Sequence, residues 1–355
     1  MIKARVAVLV LAATMLAASP VLGAGRIIVA HDEWPLSDYG FHAAPAAERF
    51  ALNVADFFTG GTRRGRFLVY STNWGLTGAA LAATMRSAGH TWVMKDPSAA
   101  PYEEFGQYDA VFVGQNSVPA RRLTDYVNAG GGVYVMSGTG YGVADSNWNT
   151  FLGSFGLKLS VGYNNVDGVT TIQSSHPLFE DVTSLLSSTG NSVSVLSAYP
   201  GGEVLVVEGA DGLFGIFTAT TVPVKIRGGD CSDTASLRRD SNGQLNVTIF
   251  GTDEFSTASI DWSTIRLLDV RPSTSGLIGG LLNTVKDVLC LEPLDGFGDE
   301  QRKFDARALA TTIWRELGNT VVHGEVVILT LSGRLKAQHG GGAIRGHDTV
   351  ILRTR

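Results

Sequence analysis

Ala129-Gly-Gly-Gly-Val-Tyr-Val-Met-Ser-Gly-Thr-Gly-Tyr-Gly142 is the stretch that decides the fold. Three glycines close an amphipathic segment, an unbroken apolar run follows, and a glycine-rich turn ends it. Glycine just past a periodic segment is a helix stop. A short apolar run bounded by turn residues is a strand buried on both faces. The same stretch raises a question of chemistry. A nucleophile elbow holds an exposed nucleophile between glycines on a strained strand-to-helix turn. Here Gly138, Gly140 and Gly142 alternate, and Gly140 stands where the nucleophile belongs, with hydroxyls nearby at Ser137 and Thr139. The dinucleotide fingerprint is not met, because its third glycine would fall at Val143.

Working outward, apolar runs at 26–30, 67–70 and 109–113 read as strands, and 44–58, 77–86 and 117–129 as helices. In the first helix Ala47, Phe50, Ala51, Val54, Phe57 and Phe58 share one face before Gly60-Gly61. This alternation predicts an α/β domain with a mostly parallel sheet flanked by helices and right-handed crossovers. Ligands of such sheets sit outside the carboxyl ends of the strands. Runs at 204–207 and 213–217 complete the domain, which spans 24–220. From 221 to 355 helical periodicity gives way to strands at 222–226, 245–250, 265–270, 326–331 and 349–352. Their Gly, Asp and Ser turns predict an all-β sandwich, with a single helix at 306–317.

A length of 355 residues fits two domains, and 44% hydrophobic content supplies cores for both. A net charge of -5 speaks against nucleic acid as the partner. Residues 1–23 have the form of a signal peptide. Lys3 and Arg5 precede an apolar run at 6–18, and small residues follow at 19–24. That run is short for a bilayer span. The expectation is a secreted, periplasmic or cell-surface protein with no membrane segment after cleavage; a retained signal anchor is the alternative. Cys231 and Cys290 are the only cysteines, and in an oxidising compartment they read first as one disulfide. Closing that loop is worth about 4 kcal/mol by chain entropy; two buried thiols are the alternative. Residues 301–355 are basic, which suits an acidic polymer or surface, or simply a solvated face.

Residues 26 to about 217 resemble the class I glutamine amidotransferase-like superfamily. The resemblance is carried by Asp109-Ala-Val-Phe-Val-Gly-Gln, Leu123-Thr-Asp-Tyr-Val-Asn-Ala-Gly-Gly-Gly-Val-Tyr-Val-Met, Trp148-Asn-Thr-Phe-Leu and Ser175-His-Pro-Leu-Phe-Glu-Asp-Val. It implies a flavodoxin-like sheet. Catalytic members carry Cys at the elbow where this chain has Gly140, so it implies a pseudoenzyme. Residues from 222 onward are similar to a C-terminal β module that recurs on exported bacterial proteins. Lys225-Ile-Arg-Gly-Gly-Asp-Cys231, Asn246-Val-Thr-Ile-Phe-Gly-Thr-Asp-Glu-Phe and Ile260-Asp-Trp-Ser-Thr-Ile-Arg-Leu carry that likeness. Its Asp/Gly turn matches Asp295-Gly-Phe-Gly-Asp299. Such turns converge hard oxygens on calcium, with Asp295 and Asp299 as candidate ligands, or are plain hairpin turns.

Other candidates follow from position. Asp32 and Glu33 come after the first strand, and paired acids there hold a metal or polarise water. His176 precedes Pro177, as a base or as a turn residue. Three functions remain open. The first is a non-catalytic binding or surface-interaction protein for an extracellular ligand or surface polymer. The second is a secreted hydrolase using Ser137, Thr139, His176, Asp32 and Glu33 at the carboxyl edge. The third is carbohydrate recognition through Trp34, Trp74 and Trp148, whose flat faces stack on sugars. Convergence of three candidate side chains in one pocket separates the second from the first.

Overall fold

In the computed structural model, β1 (Arg26–Ala30), β2 (Arg66–Tyr70), β3 (Thr91–Lys95), β4 (Ala110–Gly114) and β5 (Gly132–Met136) lie parallel in one sheet. The structure describes residues 25–61, 64–99, 102–116, 118–138, 148–196, 201–227, 235–273, 297–317 and 321–354. Past β5 come β6 (Leu157–Leu159), β7 (Asp167–Thr171), β8 (Ser184–Ser188), β9 (Val193–Val195), β10 (Gly202–Glu208) and β11 (Asp211–Phe217). The sheet has seven strands in the order β10-β11-β1-β5-β4-β2-β3; β11 runs antiparallel to β1, and β10 pairs antiparallel with β11 at the edge. The pairs β7–β8 and β6–β9 form two small antiparallel sheets beside it.

Helices cover both faces because each central strand is apolar on both. Ile28 and Ala30 belong to one core with α2 (Ala46–Thr59), while Ile27 and Val29 belong to the other. The first face carries α1 (Asp38–Ala43), α2, α3 (Trp74–Thr77) and α4 (Ala79–Ser87). The second carries α5 (Ala120–Asn128) and α6 (Asn149–Gly153). The chain moves one way across the sheet from β1 to β3 and then turns back to β4 and β5. The connections change face with it, as right-handed crossovers require. Two neighbouring pairs, β1/β5 and β2/β4, therefore send their chains to opposite faces. Crevices open there, at the carboxyl ends of the strands.

The helix expected at 77–86 is split at Gly78. Asp38, from α1, accepts the N–H groups of Ala79 and Ala80 at 3.1 and 2.8 Å and so caps α4. A side chain at Gly78 would come within 2.6 Å of that carboxylate. The capping acid is 40 residues away in sequence, which is why no local signal marks it.

The remaining strands are β12 (Thr220–Thr221), β13 (Val224–Arg227), β14 (Ala235–Arg238), β15 (Gln244–Ile249), β16 (Ile260–Leu267), β17 (Glu300–Asp305), β18 (Val326–Leu335) and β19 (Ala343–Arg353). One sheet runs β12-β19-β18-β16 with β14 also on β19; the other is β13-β15-β17. They share one core with α7 (Ala306–Leu317), which contributes Leu309, Ala310 and Ile313. This unit is β-rich, but a helix is part of its core. The signal segment 1–23, Thr139, Gly140, Gly142, Cys231, Cys290 and Asp295 lie outside the described residues. Among the described residues no helix is long and apolar enough to cross a membrane.

Candidate functional site

Each strand ending at the two crevices hands on to polar residues. His31-Asp32-Glu33 follow β1, Ser71-Thr72-Asn73 follow β2, Gln115-Asn116 follow β4 and Ser137-Gly138 follow β5. They form two tiers, a buried floor and an accessible rim.

The floor is closed upon itself. Asn164 accepts the Val166 N–H through Oδ1 at 3.3 Å, which turns its Nδ2 toward His31 Nδ1 at 3.2 Å. Nδ1 is thus the acceptor, and His31 Nε2–H donates to the Ser187 hydroxyl at 3.1 Å. Burial drives the His31 pKa down to about 3, so the imidazole is neutral. Asp32 is only 1% exposed. Its carboxylate accepts the N–H of Glu33 at 2.6 Å and that of Ser188. Burial outweighs those donors and lifts its pKa to about 7. Ser137 donates its hydroxyl to Asn191 Oδ1 at 2.8 Å, and the same oxygen takes the Gly138 N–H at 3.1 Å. The hydroxyl proton is therefore committed to an amide oxygen, which cannot act as a base. Gly138 has φ +78°, and a side chain there would meet Asp32 Oδ1 at 2.6 Å. Glycine is required for β5 to turn against that carboxyl.

The rim is built from two loops that meet over the ends of β5 and β4. Asn73 Nδ2 donates to Glu33 Oε2 at 2.7 Å and to Gln115 Oε1 at 3.1 Å, while its Oδ1 caps α3 through the Gly75 N–H at 2.7 Å. Glu33 is half-buried; burial raises its pKa and the Asn73 amide opposes this. A side chain at Gly75 would lie 2.5 Å from the Glu33 carbonyl and 2.8 Å from Met136 Sδ, so only glycine permits this approach. Gln115 sits at φ +62°, a conformation a non-glycine residue holds only when its surroundings impose it.

Next to Glu33 and next to Asn73 stands a tryptophan. Trp34 follows Glu33 and Trp74 follows Asn73, and their rings meet edge to face with centroids 4.9 Å apart. Tyr39, from α1, joins at 5.6 and 5.9 Å. Tyr39 is 65% exposed and Trp74 39%, unusual for rings this large. The result is an open aromatic corner beside a carboxylate and two amides.

The structure brings Asp32, Glu33 and Ser137 to the carboxyl edge, but not His176. That residue accepts the Leu178 N–H through Nδ1 at 3.1 Å and packs beside Phe57 at the end of α2. The Phe57 carbonyl is held by Arg26 at the start of β1, so His176 marks the amino edge of the sheet. It is a turn residue and stands apart from Ser137, whereas three of the candidates, Asp32, Glu33 and Ser137, reach the same edge, Asp32 and Ser137 in the floor and Glu33 on the rim. Trp148 is fully buried in the core of the second face and takes no part in the aromatic corner. Asp299 accepts the N–H of Gly251, 48 residues away, at 3.1 Å. Among the described residues no group of three or more His, Cys, Asp or Glu is placed to hold a metal, and Asp295, the other candidate calcium ligand, lies outside them.

Asn73, Gln115, Asn164, Asn191 and Tyr39 were not singled out by sequence. Asn73 and Gln115 carry one usable signal, since each lies within three residues of the end of an apolar strand. No family model matches the chain, and neither does a curated protein or a solved structure.

Proposed function

We propose that this is an exported binding protein whose ligand is a neutral carbohydrate, held at the carboxyl edge of the parallel sheet on an amidotransferase-like scaffold that has lost its nucleophile. The observation that carries the reading is the open Trp34–Tyr39–Trp74 corner set against Glu33, Asn73 and Gln115. Aromatic faces offer apolar area to the C–H faces of a sugar, and the carboxylate and amides offer hydrogen bonds to its hydroxyls. Glu33 makes no ion pair among the described residues, so its charge disfavours an acidic polymer at this corner.

Binding fits better than turnover because the groups that hydrolysis needs are spent on structure. Ser137 donates to an amide, His31 is locked as a neutral imidazole, and Asp32 faces backbone N–H groups rather than solvent. Among the described residues that leaves Glu33 as the one carboxyl named at the rim, and general acid–base hydrolysis of glycosides uses two.

The test is titration of the full-length protein with neutral oligosaccharides, followed by tryptophan fluorescence. Trp74→Ala removes a half-exposed ring and should leave the thermal midpoint nearly unchanged. Loss of one stacking surface, roughly 1–2 kcal/mol, should weaken binding about five- to thirtyfold. Unchanged affinity in the variant, or no saccharide bound by the parent, would overturn the assignment.

A further inference from the structure

We propose that the cleft between the α/β unit and the β-rich unit is a second binding site, for a small apolar carboxylate anchored by Arg345. The cleft encloses about 680 Å³, the size of a small-molecule site. Leu196, Leu268, Ile313, Val327 and Leu329 give it an apolar wall.

Arg345 projects from β19 toward the α/β unit. Its Nε donates to Asn128 Oδ1 at 2.8 Å, and Nη1 donates to the Ser154 carbonyl at 3.3 Å. The guanidinium lies 4.3 Å from the Phe155 ring centroid and 5.5 Å from that of Phe217. Asn128 is itself fixed, donating to Thr330 Oγ1 at 2.7 Å. The cation is thus held rigidly at the cleft, with its Nη2 edge unengaged among the described residues. No carboxylate pairs with it among those residues either. An uncompensated charge in so enclosed a place is unfavourable. Burial alone lowers its pKa, to about 9, and at neutral pH the group is still charged.

The two acids of the lining do not supply the missing anion. Asp125 lies 3.7 Å from Arg121, and Asp269 stands on the turn after β16, with no ion pair to Arg345. A carboxylate accepting two N–H bonds from the open edge of the guanidinium satisfies the charge. Arg121, the other cation of the lining, is already paired with Asp125 and Glu325, and a single unpaired cation against an apolar wall suits a monoanion with a hydrocarbon body better than a phosphate. The site is separate from the aromatic corner and does not depend on it.

The experiment uses the full chain at pH 7 with octanoate, octanol and inorganic phosphate as probes, reading calorimetric affinity and the thermal midpoint. Octanoate should bind saturably and raise the midpoint, and octanol should bind at least tenfold more weakly. Arg345→Gln should lower octanoate affinity at least tenfold. Thr150→Trp, on the exposed wall of the cleft, should block it without touching the cation; it decides the matter if the arginine variant does not fold. No saturable octanoate binding, binding unchanged in a folded variant, or phosphate binding more tightly than octanoate would each overturn the proposal.

Discussion

Asp32→Asn is expected to gain up to about 4 kcal/mol of stability relative to the parent protein as the pH is raised from 4 to 8. The Asp32 carboxyl holds its proton to about pH 7 in the folded chain and to 3.8 in the unfolded one. Between those values the folded chain binds a proton that the unfolded chain has lost. Stability therefore falls as pH rises through that window, and the penalty is complete above 7. An amide cannot titrate and escapes it. His31 acts in the opposite sense. Its neutral form is favoured by burial down to about pH 3, so acidification below 6.5 destabilises the fold. The two slopes oppose each other in the parent, and the difference between parent and variant isolates Asp32. Urea unfolding at five pH values measures it. A difference that stays flat from pH 4 to 8 would show that Asp32 ionises normally and that the floor of the site is wetter than described.

Gly190→Ala is expected to destabilise the protein by about 3 kcal/mol, at the upper end for an overpacked methyl group. A Cβ at this position would lie 2.0 Å from the His31 carbonyl oxygen and 2.6 Å from His31 Nδ1. That carbonyl accepts the Asn191 N–H at 2.7 Å, and Asn191 in turn holds Ser137 and Gly138. Backbone has to move, and the whole floor moves with it. Gly60→Ala is the control. Gly60, unlike Gly190, has positive φ and open space around it, so strain alone, about 1 kcal/mol, is expected there. Equal midpoints for the two variants in a denaturant titration would contradict the close packing of the β8–β9 connection on His31.

The central strands were legible because burial on both faces writes an uninterrupted apolar run. β1, β2, β4 and β5 fall within a residue of where those runs put them. β3 was not read as a strand. It is the edge of the sheet, only Trp92 of its five residues is buried, and Thr-Trp-Val-Met-Lys resembles neither a run nor a clean alternation. β7 and β8 escaped for a related reason, since their small sheet packs few large side chains and reads as Ser/Thr-rich loop. Within the site, Asp32 and Glu33 were found by the rule that parallel sheets bind at their carboxyl edge, and Ser137 by the glycine-rich turn it precedes. Asn73, Asn164 and Asn191 were not, because amides carry no motif and their partners lie 40, 133 and 54 residues away. His176 misled for the converse reason. A His beside a proline suggests chemistry, whereas the imidazole here caps a single turn at the opposite edge.

Binding without turnover is the central claim, and one assay addresses it directly. The full-length protein is incubated with neutral oligosaccharides, and bound ligand and released products are followed in the same samples. Saturable binding with no new reducing ends, in the parent and in Ser137→Ala alike, is the predicted result. Steady release of product by the parent that disappears in a correctly folded Ser137→Ala variant would contradict the account.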